Sequence, residues 1–272
     1  MSVLQVAQIS EILQAYNMAW NRPWEGGQVA LSGELLAAKA LPGGMHITLL
    51  SPERSDLQIL AAQWAKEQAR RGRGSNKDAD EAAEAAEGLE ESRLPGKGSS
   101  RRRDTGRGPP DVPALANTPF TSDRSISNAS SIAFLAELHG KSLLVGGDAR
   151  AEVLCRSIAA LLAQRGQERL RVDAFVVPHA GSARNMNREL LMLLECDRYL
   201  FSTDGSAFQH PDRETIARIL AYGRATPDRP LTLVFNYRSP TTDIWASKEL
   251  QSRYRYRALY PEQNGQGIKL QV

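Results

Sequence analysis

The run Leu143-Leu144-Val145-Gly146-Gly147-Asp148, then Ala174-Phe175-Val176-Val177-Pro178-His179-Ala180-Gly181-Ser182, then Tyr199-Leu200-Phe201-Ser202, and finally His210-Pro211-Asp212, decides how this chain is read. Its three apolar runs are short, partly β-branched or aromatic, and bounded by turn residues. That pattern predicts buried strands. At or just past each strand stands one side chain able to bind a metal: Asp148, His179 and His210. In open α/β sheets, ligands gather at the carboxyl ends of the strands. Three such residues in succession point to one site.

Outward from this stretch, strands and helices alternate. Segment 150–165 places Val153, Leu154, Ile158, Leu161 and Leu162 on one face, and Gly166 stops it. A second helix is predicted over 187–195 from Leu190, Leu191 and Leu194. A third is predicted to start at His210, with Pro211 in its first turn and acids after it. Leu231–Phe235 is a further strand, and the rest, to Val272, reads as short strands and loops. Before the core stretch, Ile132–Leu138 reads as a strand entering a turn at His139, which should be exposed. Near the N-terminus, a helix over Val3–Trp20, a strand over Met45–Leu50 and a helix from about Asp56 to Trp64 are predicted, with His46 exposed on its strand. The whole is α/β, divided into an ordered segment over 1–65, a charged linker over 66–116 and a main part over 117–272.

The linker lacks large apolar residues and is rich in Gly, Ser, Pro, Arg and Glu. A long disordered insertion is the plain reading, because such a segment cannot offset its ordering entropy by burial. Arg70, Arg71, Arg73, Arg101, Arg102, Arg103 and Arg107 allow two sharper readings. One is an arm that grips phosphates; the other is an exposed site for an Arg-specific protease.

The 272 residues are 42% hydrophobic with a net charge of +3. That balance is mildly basic and does not mark a dedicated DNA-binding domain. Cys155 and Cys196 are too few for a disulfide framework and read as reduced packing residues of a cytoplasmic protein. No apolar run reaches the roughly 20 residues of a membrane span, and no secretion signal is read at the N-terminus; the expectation is no membrane partner.

One carboxylate and two imidazoles suit zinc or manganese. Two ions could clamp both oxygens of a phosphodiester displacement. Asp148 would bridge them, and Asp148 and His179 would be the catalytic pair. Ser182, Asn185 and Ser202 could position substrate oxygens.

The order Asn128-Ala-Ser-Ser-Ile, Leu-Leu-Val-Gly-Gly-Asp148, Val-Pro-His179-Ala-Gly-Ser-Ala-Arg-Asn and Phe-Ser-Thr-Asp-Gly-Ser-Ala-Phe-Gln-His210-Pro resembles the C-terminal half of metallo-β-lactamase-fold hydrolases. The branch it is most similar to has TGD, HHGS and GHP motifs and includes the nuclease domain of DNA-uptake proteins. Similar bacterial proteins, ending like His210-Pro-Asp-Arg-Glu-Thr-Ile-Ala-Arg218 and Phe235-Asn236-Tyr237, occur in anti-phage defence loci beside proteases or NTPase sensors. The resemblance implies the C-terminal part of an αββα fold, zinc or manganese in a two-ion site, and nucleic acid as substrate. A protease or NTPase sensor is the implied neighbour. The family's HxHxDH motif is absent, Ala180 replaces the second His of HHGS, and TGD has become GGD. An N-terminal half on the same precursor or another chain is therefore implied, and the chain alone is expected to be inactive. The alternative is a non-catalytic scaffold or regulatory partner.

Overall fold

The computed structural model describes residues 12–71 (except 14, 19, 32, 34 and 35), 108–224, 229–263 and 267–270. The predicted helix over Val3–Trp20 lies mostly outside them, as do Arg73, Arg101, Arg102, Arg103 and Arg107. Among the described residues no helix is long and apolar enough to cross a membrane.

The protein is mixed α/β. Among the described residues there are ten strands: β1 (Lys39–Ala40), β2 (His46–Ser51), β3 (Ala133–Leu138), β4 (Lys141–Val145), β5 (Leu170–Arg171), β6 (Ala174–Val176), β7 (Leu194–Glu195), β8 (Arg198–Phe201), β9 (Leu231–Phe235) and β10 (Tyr256–Leu259). Eight of them form one sheet in the order β1-β2-β3-β4-β6-β8-β9-β10. Its first part, β1 to β4, is an antiparallel meander. From β4 onward the strands are parallel, so each needs a crossover. Helices supply these connections: α4 (Ala151–Arg165), α5 (Arg188–Met192) and α6 (Arg213–Tyr222), then α7 (Pro240–Asp243) and α8 (Lys248–Tyr254). Upstream lie α1 (Arg54–Arg71), α2 (Val112–Ala116) and α3 (Ile126–Ala129).

The core sits on one face of the sheet. Leu135, Leu144, Phe175, Tyr199 and Leu233 are register partners across five strands, and all are fully buried. Leu154, Ile158, Leu161 and Leu162 of α4 join the same cluster, as do Ile216 and Ile219 of α6. Gly166 ends α4 in the left-handed conformation at φ 62°, as its sequence position predicts.

Several boundaries differ from those read in the sequence. Helix α1 runs on through Arg71, so Arg70 and Arg71 close a helix instead of opening the linker. The described residues resume at Gly108, and Val112, Leu115 and Ala116 of α2 enter the main core. The apolar stretch 187–195 is a five-residue helix followed by β7, because Leu194-Glu195 pairs with Leu170-Arg171 in a separate two-stranded ladder. Residues 240–254 form helices: Thr242 Oγ1 accepts the Ser239 N–H at 2.9 Å as half of a capping box, and Ser247 caps α8.

Both cysteines pack as the sequence predicts. Burial pushes the Cys196 thiol up to about 12, and burial, helped by Glu189 and Glu152, pushes Cys155 up to about 11. Thiolates are the reactive species. At pH 8 the native protein should therefore react with a thiol reagent far more slowly than after denaturation; equal rates would show that neither side chain is protected.

Candidate functional site

Three loops meet at the carboxyl end of the parallel strands. The first, Gly146–Asp148, follows β4; the second, 178–187, follows β6; the third, 202–212, follows β8. Two glycines permit their close approach. A Cβ on Gly146 would lie 2.8 Å from the Pro178 nitrogen, and one on Gly181 would lie 2.7 Å from Pro211 Cβ. The Gly146-Gly147-Asp148 motif is thus a packing requirement before it is a chemical one. Replacing Gly146 with Ala should move the 178–187 loop, which would be visible as shifted backbone amide resonances at His179 and Gly147. Unchanged resonances would contradict this packing.

His179 and Ala180 are both held in the left-handed region, at φ 47° and 51°. Neither is glycine, so each position is strained by roughly 1–3 kcal/mol. The surroundings fix them: the His179 N–H donates to the Gly147 carbonyl at 2.7 Å, and Ser182 N–H donates to the His179 carbonyl at 2.9 Å. The bend aims the imidazole at a buried polar network. Asn185 is fully buried, and its Nδ2 donates to Asp123 Oδ2 (3.0 Å) and to the carbonyls of Asp148 (3.2 Å) and Ala149 (3.3 Å). With three acceptors on that side, Asn185 Oδ1 faces His179 Nδ1 at 3.1 Å. The imidazole must then carry its hydrogen on Nδ1, and the lone pair resides on Nε2.

Asp123 stands behind this arrangement. It is 2% exposed, its Oδ1 accepts the Ser125 N–H at 2.8 Å, and its Oδ2 accepts Asn128 Nδ2 at 2.8 Å. Asn128 Nδ2 also lies 3.5 Å from His179 Nδ1, and Asp123 Oδ2 is 3.9 Å from it. A carboxylate and an amide that orient an imidazole through its Nδ1 are what a ligating or proton-accepting Nε2 requires.

His210 is the facing group. Its ring lies 5.4 Å from that of His179, centre to centre, at 70°. The residue is 7% exposed, and neither ring nitrogen has a hydrogen-bond partner among the described residues. Asp212 Oδ1 approaches Nδ1 to 3.4 Å without hydrogen-bond geometry. A buried polar group left unpaired costs about 1–3 kcal/mol, so this imidazole is poised for a partner. Pro211 is not in the first helical turn as predicted: Asp212 is the N-cap of α6, which leaves His210 in the loop. Thr241 Oγ1 holds the His210 carbonyl at 3.0 Å. Phe208, 44% exposed, flanks both imidazoles, with ring centres at 6.3 and 5.9 Å.

The remaining predicted residues divide. The Asp148 carbonyl belongs to the Asn185 network, but its side chain is exposed. Among the described residues no group of three or more His, Cys, Asp or Glu is placed to hold a metal ion. The expected convergence of Asp148 with both histidines is therefore absent from this arrangement, and two imidazoles remain. They fit part of a zinc donor set and do not make a closed one. Asn185 positions His179, and its full burial keeps it from substrate. Ser182 is 1% exposed, and its Oγ accepts the Arg184 N–H at 3.3 Å, a turn role. Ser202 is exposed and accepts Asn236 Nδ2 at 3.3 Å, and Asn236 Oδ1 also takes the Thr203 N–H at 2.9 Å. His46 and His139 are exposed, away from this site, as predicted.

Next to Asp123 opens a cleft of about 320 Å³ that includes Arg124, Arg150, Arg156 and Glu152. Arg150 Nη2 donates to the Ser125 carbonyl at 2.9 Å, and Arg156 pairs with Glu53 at 2.7 Å. Sequence reading passed over Asp123: it carries no local motif and joins His179 only through the tertiary fold. No protein-family model, curated protein or solved structure matches this chain.

Proposed function

We propose that this chain is the C-terminal portion of a metal-dependent hydrolase of metallo-β-lactamase type, acting on phosphodiesters, with its remaining metal donors supplied by another polypeptide. The observation that carries the reading is His210: a buried imidazole whose ring nitrogens have no hydrogen-bond partner among the described residues, with only the Asp212 carboxylate near Nδ1, facing an imidazole whose Nε2 lone pair is set by Asn185 and Asp123. When bound, zinc or manganese would supply a water acidic enough to ionise near neutral pH. This chain's own contribution is orientation. Asp123 and Asn185 keep Nδ1 protonated, and the left-handed turn at His179 holds the ring against the Gly147 loop. Phe208 offers an exposed aromatic face on which a nucleobase could stack. Arg124, Arg150 and Arg156 supply cations near enough to Asp123 to bind a phosphate chain.

The test is hydrolysis of bis(p-nitrophenyl) phosphate and single-stranded DNA with zinc or manganese present. The isolated chain should be inactive, and the assembly purified from its native host should turn over. In that assembly His179→Ala should lower the rate by at least about 100-fold, the order seen when a positioned group is lost. A second reading, a non-catalytic scaffold or regulatory partner, is favoured by the lack of a third ligand beside the two imidazoles among the described residues. An assembly that is inactive with both metals would establish it.

A further inference from the structure

Asp212 stands where a helix cap is expected, and its side chain does not cap. It is the N-cap of α6, a position that favours aspartate because the carboxylate can accept a free amide of the first turn. Here the side chain makes no such bond. Its oxygens turn instead toward the two histidine loops. Oδ2 accepts the Ala183 N–H at 2.8 Å, and Oδ1 lies 3.4 Å from His210 Nδ1. The Asp212 N–H donates to the Gly181 carbonyl at 3.0 Å. One residue thus bonds twice to the loop that carries His179 and stands against the ring of His210.

The place of this carboxylate is set by the fold. Both backbone groups of Ala183 are held from α6, the N–H by Asp212 and the carbonyl by Arg218 Nη1 at 2.7 Å. The backbone of His210 is fixed as well. Its carbonyl accepts Thr241 Oγ1 at 3.0 Å, and Gly205 packs so closely that a Cβ there would stand 3.1 Å from the same carbonyl oxygen. What stays free is the imidazole. A neutral imidazole keeps one hydrogen, and the partner of each nitrogen decides which one holds it. Among the described residues nothing bonds either ring nitrogen of His210, which leaves the Asp212 carboxylate to bias the choice. An ionised carboxylate only accepts, so beside Nδ1 it favours hydrogen on Nδ1 and a lone pair on Nε2.

We propose that Asp212 is a positioning residue for His210, selecting the tautomer with hydrogen on Nδ1, so that this imidazole offers Nε2 as His179 does. Asp123 and Asn185 set one ring; Asp212 sets the other and ties the two loops together. The contact at 3.4 Å is not yet a bond, and such contacts in unliganded sites commonly tighten when the ligand arrives. A ligand on Nε2 makes Nδ1–H a stronger donor toward Oδ1. The value of this tautomer for a shared ion rests on the hydrolase reading, whereas the tautomer itself is a property of the metal-free chain.

Isotope labelling of the histidine rings in the full chain, read at pH 8, above the ordinary imidazole pKa of about 6.5, tests this before any metal is added. Wild-type His210 should carry its hydrogen on Nδ1. Asp212→Asn keeps an oxygen for the Ala183 N–H and remains a good N-cap, but it turns an amide donor toward Nδ1. His210 should then move its hydrogen to Nε2, with circular dichroism and Ala183 amide exchange unchanged, and zinc affinity should fall about 10–100-fold. Asp212→Ala should also speed exchange at Ala183. A wild type with hydrogen on Nε2 overturns the proposal. So does an Asp212→Asn protein whose His210 tautomer is unchanged, even if exchange at Ala183 rises, because Asp212 is then only a brace of the loop. A tautomer that switches as expected in a chain that binds no zinc at millimolar concentration upholds the role of Asp212 and removes the hydrolase reading.

Discussion

Replacing Arg218 with Met is expected to destabilise the protein by about 3–5 kcal/mol, because three buried carbonyls lose their donor. Arg218 is 3% exposed, and its guanidinium donates to the carbonyls of Ala183 (2.7 Å), Met186 (2.8 Å) and Thr118 (3.1 Å). It thereby ties α6 to the 178–187 loop and to the chain leaving α2. Desolvation lowers its pKa, and the charges of Glu214, Asp212 and Glu189 oppose that shift. Methionine fills similar volume but leaves three buried acceptors without donors, at about 1–3 kcal/mol each before relaxation. Because two of them flank Asn185, the loop holding His179 should loosen as well. Urea unfolding gives the first effect and hydrogen exchange at residues 183–186 the second. A loss under 1 kcal/mol with unchanged exchange would show that Arg218 does not hold the loop.

Asp123→Ala is expected to act on His179 without touching a ligand. The change removes the acceptor of Asn128 Nδ2 and one of the three acceptors of Asn185 Nδ2, so Asn128 is free to turn while the Asp148 and Ala149 carbonyls still hold Asn185. Released from Asp123, Asn128 Nδ2, 3.5 Å from His179 Nδ1, competes to donate to that nitrogen, which favours the other tautomer. Loss of such an outer partner lowers metal affinity by about 10–100-fold. The variant should therefore bind zinc more weakly, and its His179 should populate the form with hydrogen on Nε2. Weaker binding with the tautomer unchanged would make Asp123 a merely structural residue.

The parallel part of the sheet was legible because its strands are short, apolar and punctuated by glycine and proline. Gly166, His139 and His46 stand as their local sequence predicts. The break within 187–195 was not legible. Leu190, Leu191 and Leu194 fit one helical face, and only the pairing of β7 with β5 turns Leu194 into a strand residue. Residues 240–254 carried readable caps in Ser239 and Ser247, but polar spacing hid the short helices behind them. At the site, the ends of β6 and β8 set the His179 and His210 rings 5.4 Å apart. Strand-end position could not reveal that the Asp148 side chain stays exposed while its carbonyl serves Asn185. Nor could it reveal Asp123, whose contact with His179 exists only after β3, β4 and β6 have assembled.

The chain has four histidines, and selective isotope labelling of their rings gives one spectrum that tests the central claim. His46 and His139, both exposed, serve as internal references. Before metal is added, His179 should show the hydrogen on Nδ1. On zinc addition the His179 and His210 signals should shift together at the same zinc concentration, with the references unmoved, and His210→Ala should abolish the shift of His179. If neither signal moves at millimolar zinc, or His210→Ala leaves the His179 shift intact, the two imidazoles do not share a metal and the account is wrong.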